Sequence, residues 1–272
     1  MKRILFASDL SDSGMNALKY TLALTKDTGI SIDLLHVFDI PVIVASSLPQ
    51  TAISTMINER SELVLEDLKE LQKVIPENQQ GKLDAVYGPY PASEIVHVAT
   101  ENEADIIVMA LRQKYSFIDR LMGTVTAQTI ALSNIPVLAI PSGASFTGIH
   151  KILFPTAIAQ SHSLPEKEEK ALQWLYNFWS IFKYPSIHLL HIDNDADEGT
   201  DITFKHKPFS ETDFTVSHAK SLEAGIIDYV KKEKAELIAL YKPHRSFWER
   251  LYHSSVTRKL LFKSRIPLLV FS

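Results

Sequence analysis

Short apolar runs recur along the chain and alternate with longer stretches in which apolar positions return every three or four residues. KRILFAS from Lys2 to Ser8, IDLLHV from Ile32 to Val37 and ADIIVM from Ala104 to Met109 are runs of the first kind. Runs of that length, rich in Val, Ile and Leu and lacking strict alternation, predict strands buried on both faces. The stretches between them carry the helical period. An amphipathic segment spans Ser13 to Lys26, with Gly29 expected as its C-cap. A long pattern places Ile53, Met56, Ile57, Leu63, Leu65, Leu68 and Leu71 on one helix, and shorter helices are expected over Ala92–Asn102 and Thr124–Ser133. Strands are predicted at Lys2–Ser8, Ile32–Phe38, Leu83–Tyr87, Asp105–Leu111 and Pro136–Ile140.

The same runs then come round again. HKILFPT from His150 matches KRILFAS, IHLLHI from Ile187 matches IDLLHV, AELIAL from Ala235 matches ADIIVM, and IPLLVFS from Ile266 matches IPVLAIP from Ile135. Matched segments in the same order indicate an internal duplication. The predicted fold is therefore α/β, with two tandem doubly wound units, each an open five-stranded parallel sheet. The units are assigned to residues 1–145 and 146–272, joined near Ser142–His150. The second is shortened: between His191 and Phe214 stands the acidic run DNDADEGTD where the first copy has its long helix. That run lacks the spacing and closing Glu of a calcium loop and reads as a solvated segment.

Composition narrows the chemistry. The chain has 272 residues, enough for two ordinary domains, with 46% hydrophobic and 22% charged residues. A net charge of −4 supplies no electrostatic reason to expect nucleic acid. Cysteine is absent, which excludes disulfides, thiol catalysis and thiolate metal sites. No stretch approaches the ~18 apolar residues of a membrane span, and the first apolar run meets Asp9 too early for a signal peptide, so a cytoplasmic location is expected. His36 and His191 stand at matched strand ends, but no further ligand pattern accompanies them, and no metal site is assigned. No nucleophile elbow, Walker loop or dinucleotide fingerprint is present, and no catalytic residue is assigned.

In an open parallel sheet, ligands bind beyond the carboxyl ends of the strands where the winding reverses. In the first copy this points to ASDLSDSG, from Ala7 to Gly14, and to ALRQKYSFIDRLMGT, from Ala110 to Thr124. With ILFASD, LLHV, GPYPASEI, ADIIVM and G-T-V before NIPVLAIP, the sequence resembles the universal stress protein family in tandem form, over essentially its whole length. The resemblance implies a nucleotide site in the first copy formed by Ala7, Asp9, Val37 and Ala110, together with Gln113, Gly123, Thr124 and Val125. ATP-binding members carry G-x2-G-x9-G-[ST] after the fourth strand, where glycines admit phosphates to the backbone. That spacing falls here on Ala110, Gln113, Gly123 and Thr124, and in the second copy on Tyr241, His244, Ser254 and Ser255. Gln113 brings a Cβ and a long side chain to a close-approach point. The second copy has no motif glycine, and Ala157 stands in the place of Asp9.

The leading functional expectation is a stress-response or regulatory protein that works by binding or interaction rather than catalysis, with nucleotide binding weak or lost and no cofactor required. The alternative is an ATP-binding protein using the first unit, with slow hydrolysis. A third reading is a small-ligand binder in the second copy around Tyr241, Trp248 and Tyr252. Asp9 has two readings, a ribose contact or a local acid bonding N–H groups at the helix approach, and Thr124 likewise a phosphate donor or an N-cap. Arg112, Lys114, Arg120, Arg245 and Arg250 suit a charged surface loop, and the repeated S-F-[IW]-[DE]-R-L at Ser116–Leu121 and Ser246–Leu251 suits packing. The resemblance implies a pseudo-dimer through the last strands of the two units. Loss of the long helix in the second copy, by uncovering sheet, leads to the expectation of a homodimer.

Overall fold

The computed structural model describes residues 2–40, 49–111, 125–156, 166–179, 186–193, 214–220, 222–241 and 264–271. The chain divides into two compact units, Met1–Ser145 and Phe146–Ser272. In the first, β1 (Arg3–Ala7), β2 (Ser31–Phe38), β3 (Gln80–Tyr87), β4 (Ile106–Leu111) and β5 (Val137–Pro141) alternate with α1 (Asp12–Leu24), α2 (Gln50–Gln72), α3 (Pro91–Glu101) and α4 (Val125–Leu132). Spatial order is β3-β2-β1-β4-β5. Every pairing is parallel, with Ile4 opposite Ile32 on one side and Ile106 on the other. The chain winds outward from β1 to β3 and then restarts at β4, so connections on the two sides lie on opposite faces. α1 lies over β4 and β5 and α2 over β2 and β3, while α3 and α4 pack on each other. The doubly wound α/β architecture follows directly.

Helix covers on both faces explain the unbroken apolar runs. Ile4, Leu5, Phe6, Ile106, Ile107 and Val108 are all buried, with at most 2% of their surface exposed. Each such side chain contributes about 1.5–3 kcal/mol by leaving water.

Two details depart from the sequence pattern. α1 stops at Leu24, with Thr25 as its C-cap, and Gly29 lies beyond it at φ +66°, so Gly29 turns the chain into β2 rather than capping the helix. In α2 the buried positions are Val64, Leu68 and Leu71, while Leu63 is 53% exposed. The spacing of four and three residues keeps Val64 in phase with Leu68 and Leu71, and Leu63 falls outside that stripe.

One irregularity in the first sheet has a polar cause. The register of β2 against β3 shifts between Ile32 and Leu34, opposite Gly81 and Lys82. There Asp33, 1% exposed, accepts a hydrogen bond from the Lys82 backbone N–H at 2.9 Å. A Cβ on Gly81 would lie 2.1 Å from Asp33 Oδ1, so glycine is required at that bulge.

The second unit has the same topology. β6 (Lys151–Pro155), β7 (Ser186–Asp193), β8 (Phe214–His218), β9 (Leu237–Tyr241) and β10 (Leu268–Phe271) lie in the order β8-β7-β6-β9-β10, all parallel. Ile152 pairs with Ile187 and Leu237 as Ile4 pairs with Ile32 and Ile106. α5 (Glu166–Trp179) lies over β9 and α6 (Leu222–Glu233) over β7. The correspondence between α1 and α5 is close. Gly14, Ala17, Leu18, Thr21 and Leu24 are buried in α1, and Glu168, Ala171, Leu172, Leu175 and Phe178 repeat that spacing in α5. The DNDADEGTD run beyond Asp193 and both S-F-[IW]-[DE]-R-L segments lie outside the described residues.

Candidate functional site

In the first unit the winding reverses between β1 and β4, and the loop leaving β1 is held by its own polar atoms. Ser8 N–H extends the ladder to the Leu35 carbonyl at 2.8 Å. Leu10 then adopts φ +54°, a left-handed conformation costly for a branched side chain, and its N–H donates to Ser8 Oγ at 3.1 Å. Ser11 caps α1 by accepting from Gly14 N–H at 3.2 Å. Asp9, half-buried, accepts at Oδ1 from Ser11 N–H at 3.1 Å and from the Ser11 hydroxyl at 2.5 Å. A methyl on Gly14 would come within 2.6 Å of that same oxygen. Gly14 therefore makes the space into which the Asp9 carboxylate folds, and the local-acid reading of Asp9 describes contacts the side chain makes.

Ala7 ends β1, is 8% exposed, and pairs with Met109 of β4. Ala110 is half-buried next along β4, and its carbonyl accepts from Thr126 Oγ1 at 3.1 Å. Val125 opens α4 and is 38% exposed. Val37 sits on β2 opposite Val86 and is half-buried. Ala7 and Ala110 thus fall on adjacent strands at the switch point, with Asp9 in the loop just beyond and Val37 one strand further out. Gln113, Gly123 and Thr124 lie outside the described residues, as do Arg112, Lys114, Arg120, Arg245 and Arg250.

The two matched histidines perform one job. His36 Nδ1 lies 2.8 Å from the Ser8 carbonyl, and His191 Nδ1 lies 3.2 Å from the Thr156 carbonyl. A carbonyl only accepts, so in each ring Nδ1 carries the proton, and in the neutral ring Nε2 is an acceptor. Each histidine ties the residue after the first strand to the second strand. Among the described residues no group of three or more His, Cys, Asp or Glu is arranged to hold a metal.

The corresponding corner of the second unit contains a residue that the sequence reading passed over. Glu168 of α5 is 7% exposed, and its Oε2 accepts a short hydrogen bond from Thr156 Oγ1, itself on a residue 7% exposed. Tyr241, at the end of β9, closes the same corner: burial pushes its phenol up, and the Glu168 charge pushes it further. By helix spacing Glu168 occupies the position of Gly14. Its signal in the sequence was an acid in phase with the apolar stripe Ala171, Leu172, Leu175 and Phe178.

A model of the universal stress protein family matches residues 1–141, more than half of the chain. The chain belongs to the universal stress protein family, a family of stress-response proteins. Two relatives from Methanocaldococcus jannaschii, universal stress proteins MJ0577 and MJ0531, are 29% and 28% identical. Each match spans 51% of this chain, and 94% and 81% respectively of the relative. A universal stress protein of Archaeoglobus fulgidus has the same fold across 99% of this chain and 96% of its own, at a TM-score of 0.74 and 18% identity. No helix among the described residues is long and apolar enough to cross a membrane.

Proposed function

We propose that this protein acts in stress response or regulation through binding and interaction rather than catalysis, and that nucleotide binding by its first unit is weakened. The observation that carries this reading is the state of Asp9, the acid at the switch point. Its Oδ1 is already engaged by Ser11 N–H and Ser11 Oγ over Gly14. A ligand hydroxyl has to compete with those bonds, and the motif positions at Ala110 and Gln113 lack the glycines that admit phosphates to the backbone. Losing two or three charge-assisted hydrogen bonds, at about 1.5–3 kcal/mol each, takes a micromolar site to millimolar or weaker. The second unit, with Ala157 for the loop acid and Tyr241 at the first motif position, is assigned no nucleotide at all. A homodimer and a cytoplasmic location belong to the same proposal.

Calorimetry of the full chain with ATP and magnesium is expected to show no tight site, and Gln113→Gly to strengthen whatever binding exists. Low-micromolar binding by the unaltered chain would overturn this reading in favour of an ATP-binding protein. Mass spectrometry of the denatured, purified protein is a second check, since a nucleotide retained through purification requires an intact site.

A further inference from the structure

The start of β3 is fastened to the first sheet by a side chain as well as by the strand ladder. β3 is an edge strand, and its strand neighbour is β2. Ile32 pairs with Gln80 and Leu34 with Leu83, so Gly81 and Lys82 together face Asp33. There the Lys82 N–H turns to Asp33 Oδ1 at 2.9 Å. Side-chain amides and an ammonium supply further ties. Gln72 Nε2 of α2 donates to the Gly81 carbonyl at 3.0 Å, Gln80 Nε2 to the Ile75 carbonyl at 2.9 Å, and Lys82 Nζ to Asn102 Oδ1 at 2.7 Å. Gly81 itself has no side chain to anchor and gains the most backbone freedom when released.

The charge on Asp33 decides how well this fastening holds. The residue is 1% exposed, and its Oδ2 is buried without a hydrogen-bond partner. From β1, Arg3 brings Nε to 3.8 Å of that oxygen, but its Nη1 donates to the Asn102 carbonyl at 2.9 Å instead. From β3, Lys82 brings a second cation, whose ammonium is bonded to Asn102. Asp84, also on β3, adds a like charge and accepts from Asn102 Nδ2 at 2.9 Å. Among the described residues Arg3, Lys82 and Asp84 are the charges that act on Asp33, and α2 meets the bulge through the neutral Gln72. Burial is the largest effect on this carboxyl and favours its neutral form, against the Lys82 N–H and the two cations. A buried carboxylate oxygen lacking a donor costs free energy that water relieves once the strand start lifts away.

We propose that Asp33 is a proton-operated latch on this edge strand: protonated, it holds Gln80–Lys82 against β2, and ionised, it lets that segment open locally while the rest of the sheet stays formed. The closed form binds the proton more tightly than the open form, so opening releases a proton and is favoured as pH rises. Opening unpairs the edge of β2 at Ile32 and Asp33, which couples acidity to the accessibility of a strand edge. No residue of the candidate nucleotide site takes part, so the latch is independent of that reading.

Amide hydrogen exchange of the isotope-labelled full chain, followed by NMR from about pH 4 to about pH 7, tests the latch. Relative to an unstructured amide, Lys82 should lose protection by up to about tenfold per pH unit until Asp33 is fully ionised, and then level off. In Asp33→Asn, which keeps the shape and an acceptor for the Lys82 N–H, protection should not change with pH. Low urea should leave Lys82 protection nearly unchanged. The same urea should lower the protection of Ile107, in the central strand β4 and bonded to the Pro136 carbonyl at 2.9 Å, because a local opening exposes far less surface than global unfolding. Should Asp33→Asn fail to fold, carbon NMR of the unaltered chain decides. The Asp33 carboxyl must titrate above the ordinary aspartate value, with the same midpoint as the loss of Lys82 protection. Lys82 protection that is flat with pH, that keeps its pH dependence in Asp33→Asn, or that is lost only together with that of Ile107 would each overturn the proposal. So would an Asp33 carboxyl titrating at or below the ordinary value.

Discussion

Gly14 occupies a helical position where alanine is ordinarily better by about 1 kcal/mol, and the Asp9 carboxylate is the reason glycine stands there. The two effects separate in a double-mutant cycle. Gly14→Ala alone should be neutral or destabilising, because its methyl displaces a carboxylate held by Ser11. In an Asp9→Ala background the same change should stabilise by about 0.5–1 kcal/mol. Urea denaturation of the four proteins measures the coupling, and an equal effect in both backgrounds refutes the contact. Asp33 allows a second test. Its Oδ2 lies 3.8 Å from Arg3 Nε, is buried, and has no hydrogen-bond partner. Burial pushes the carboxyl above its ordinary value, and the Lys82 N–H with the Arg3 and Lys82 charges only partly offsets that. A folded pKa above the unfolded one means that the ionised group costs stability above the folded pKa. The cost is relieved as pH falls through that value. Asp33→Asn should therefore gain stability relative to the unaltered protein as pH rises from about 4 to about 7, followed by denaturation curves across that range. Neither residue advertised its role in the sequence. Asp9 was legible as a candidate because it ends an apolar strand at the switch point. Glu168 was not, because extra residues in the loop after β6 displace α5 along the chain and hide its correspondence to Gly14.

At the scale of elements, strands were the most legible parts because burial on both faces leaves each one a continuous apolar run with sharp polar edges. β1, β2, β4 and β5 begin and end within two residues of the runs that predicted them. β3 starts earlier than Leu83, at Gln80, because Gly81 and Lys82 are drawn into the ladder by Asp33, a tertiary contact that no local pattern records. Helix faces were read less well. Leu63 has the composition of a core residue, yet its angular position puts it toward solvent. Leu68→Ala, at a residue fully buried between α2 and the sheet, should cost about 2–5 kcal/mol, whereas Leu63→Ala should change stability by no more than about 0.5 kcal/mol. Chemical denaturation of the two variants side by side checks the phase of the helix. Comparable losses would mean that Leu63 is covered in solution.

At the scale of the whole molecule, the two units share a topology but not the length of chain spent on one crossover. Unit one uses residues 39–79 to pass from β2 to β3, including the 23 residues of α2 that cover those strands. Unit two has only residues 194–213 between β7 and β8, fewer than α2 alone contains. A helix of that length does not fit; Ile187, Leu189, Leu190 and Ile192 of β7 are buried, while the edge strand β8 is only half-buried along Phe214, Thr215, Val216 and Ser217. The half-buried Phe214 and Val216 leave apolar surface on that edge strand, and a second copy of the chain is the cover that requires no further component. The chain should accordingly sediment and scatter as a dimer, with twice the mass of the 30.6 kDa chain. An apolar contact of this kind should persist in high salt, whereas association through surface charges weakens as salt screens them. Multi-angle light scattering over a dilution series, at low and at high salt, separates these cases. A monomer mass at the highest concentration would remove the second copy as the cover.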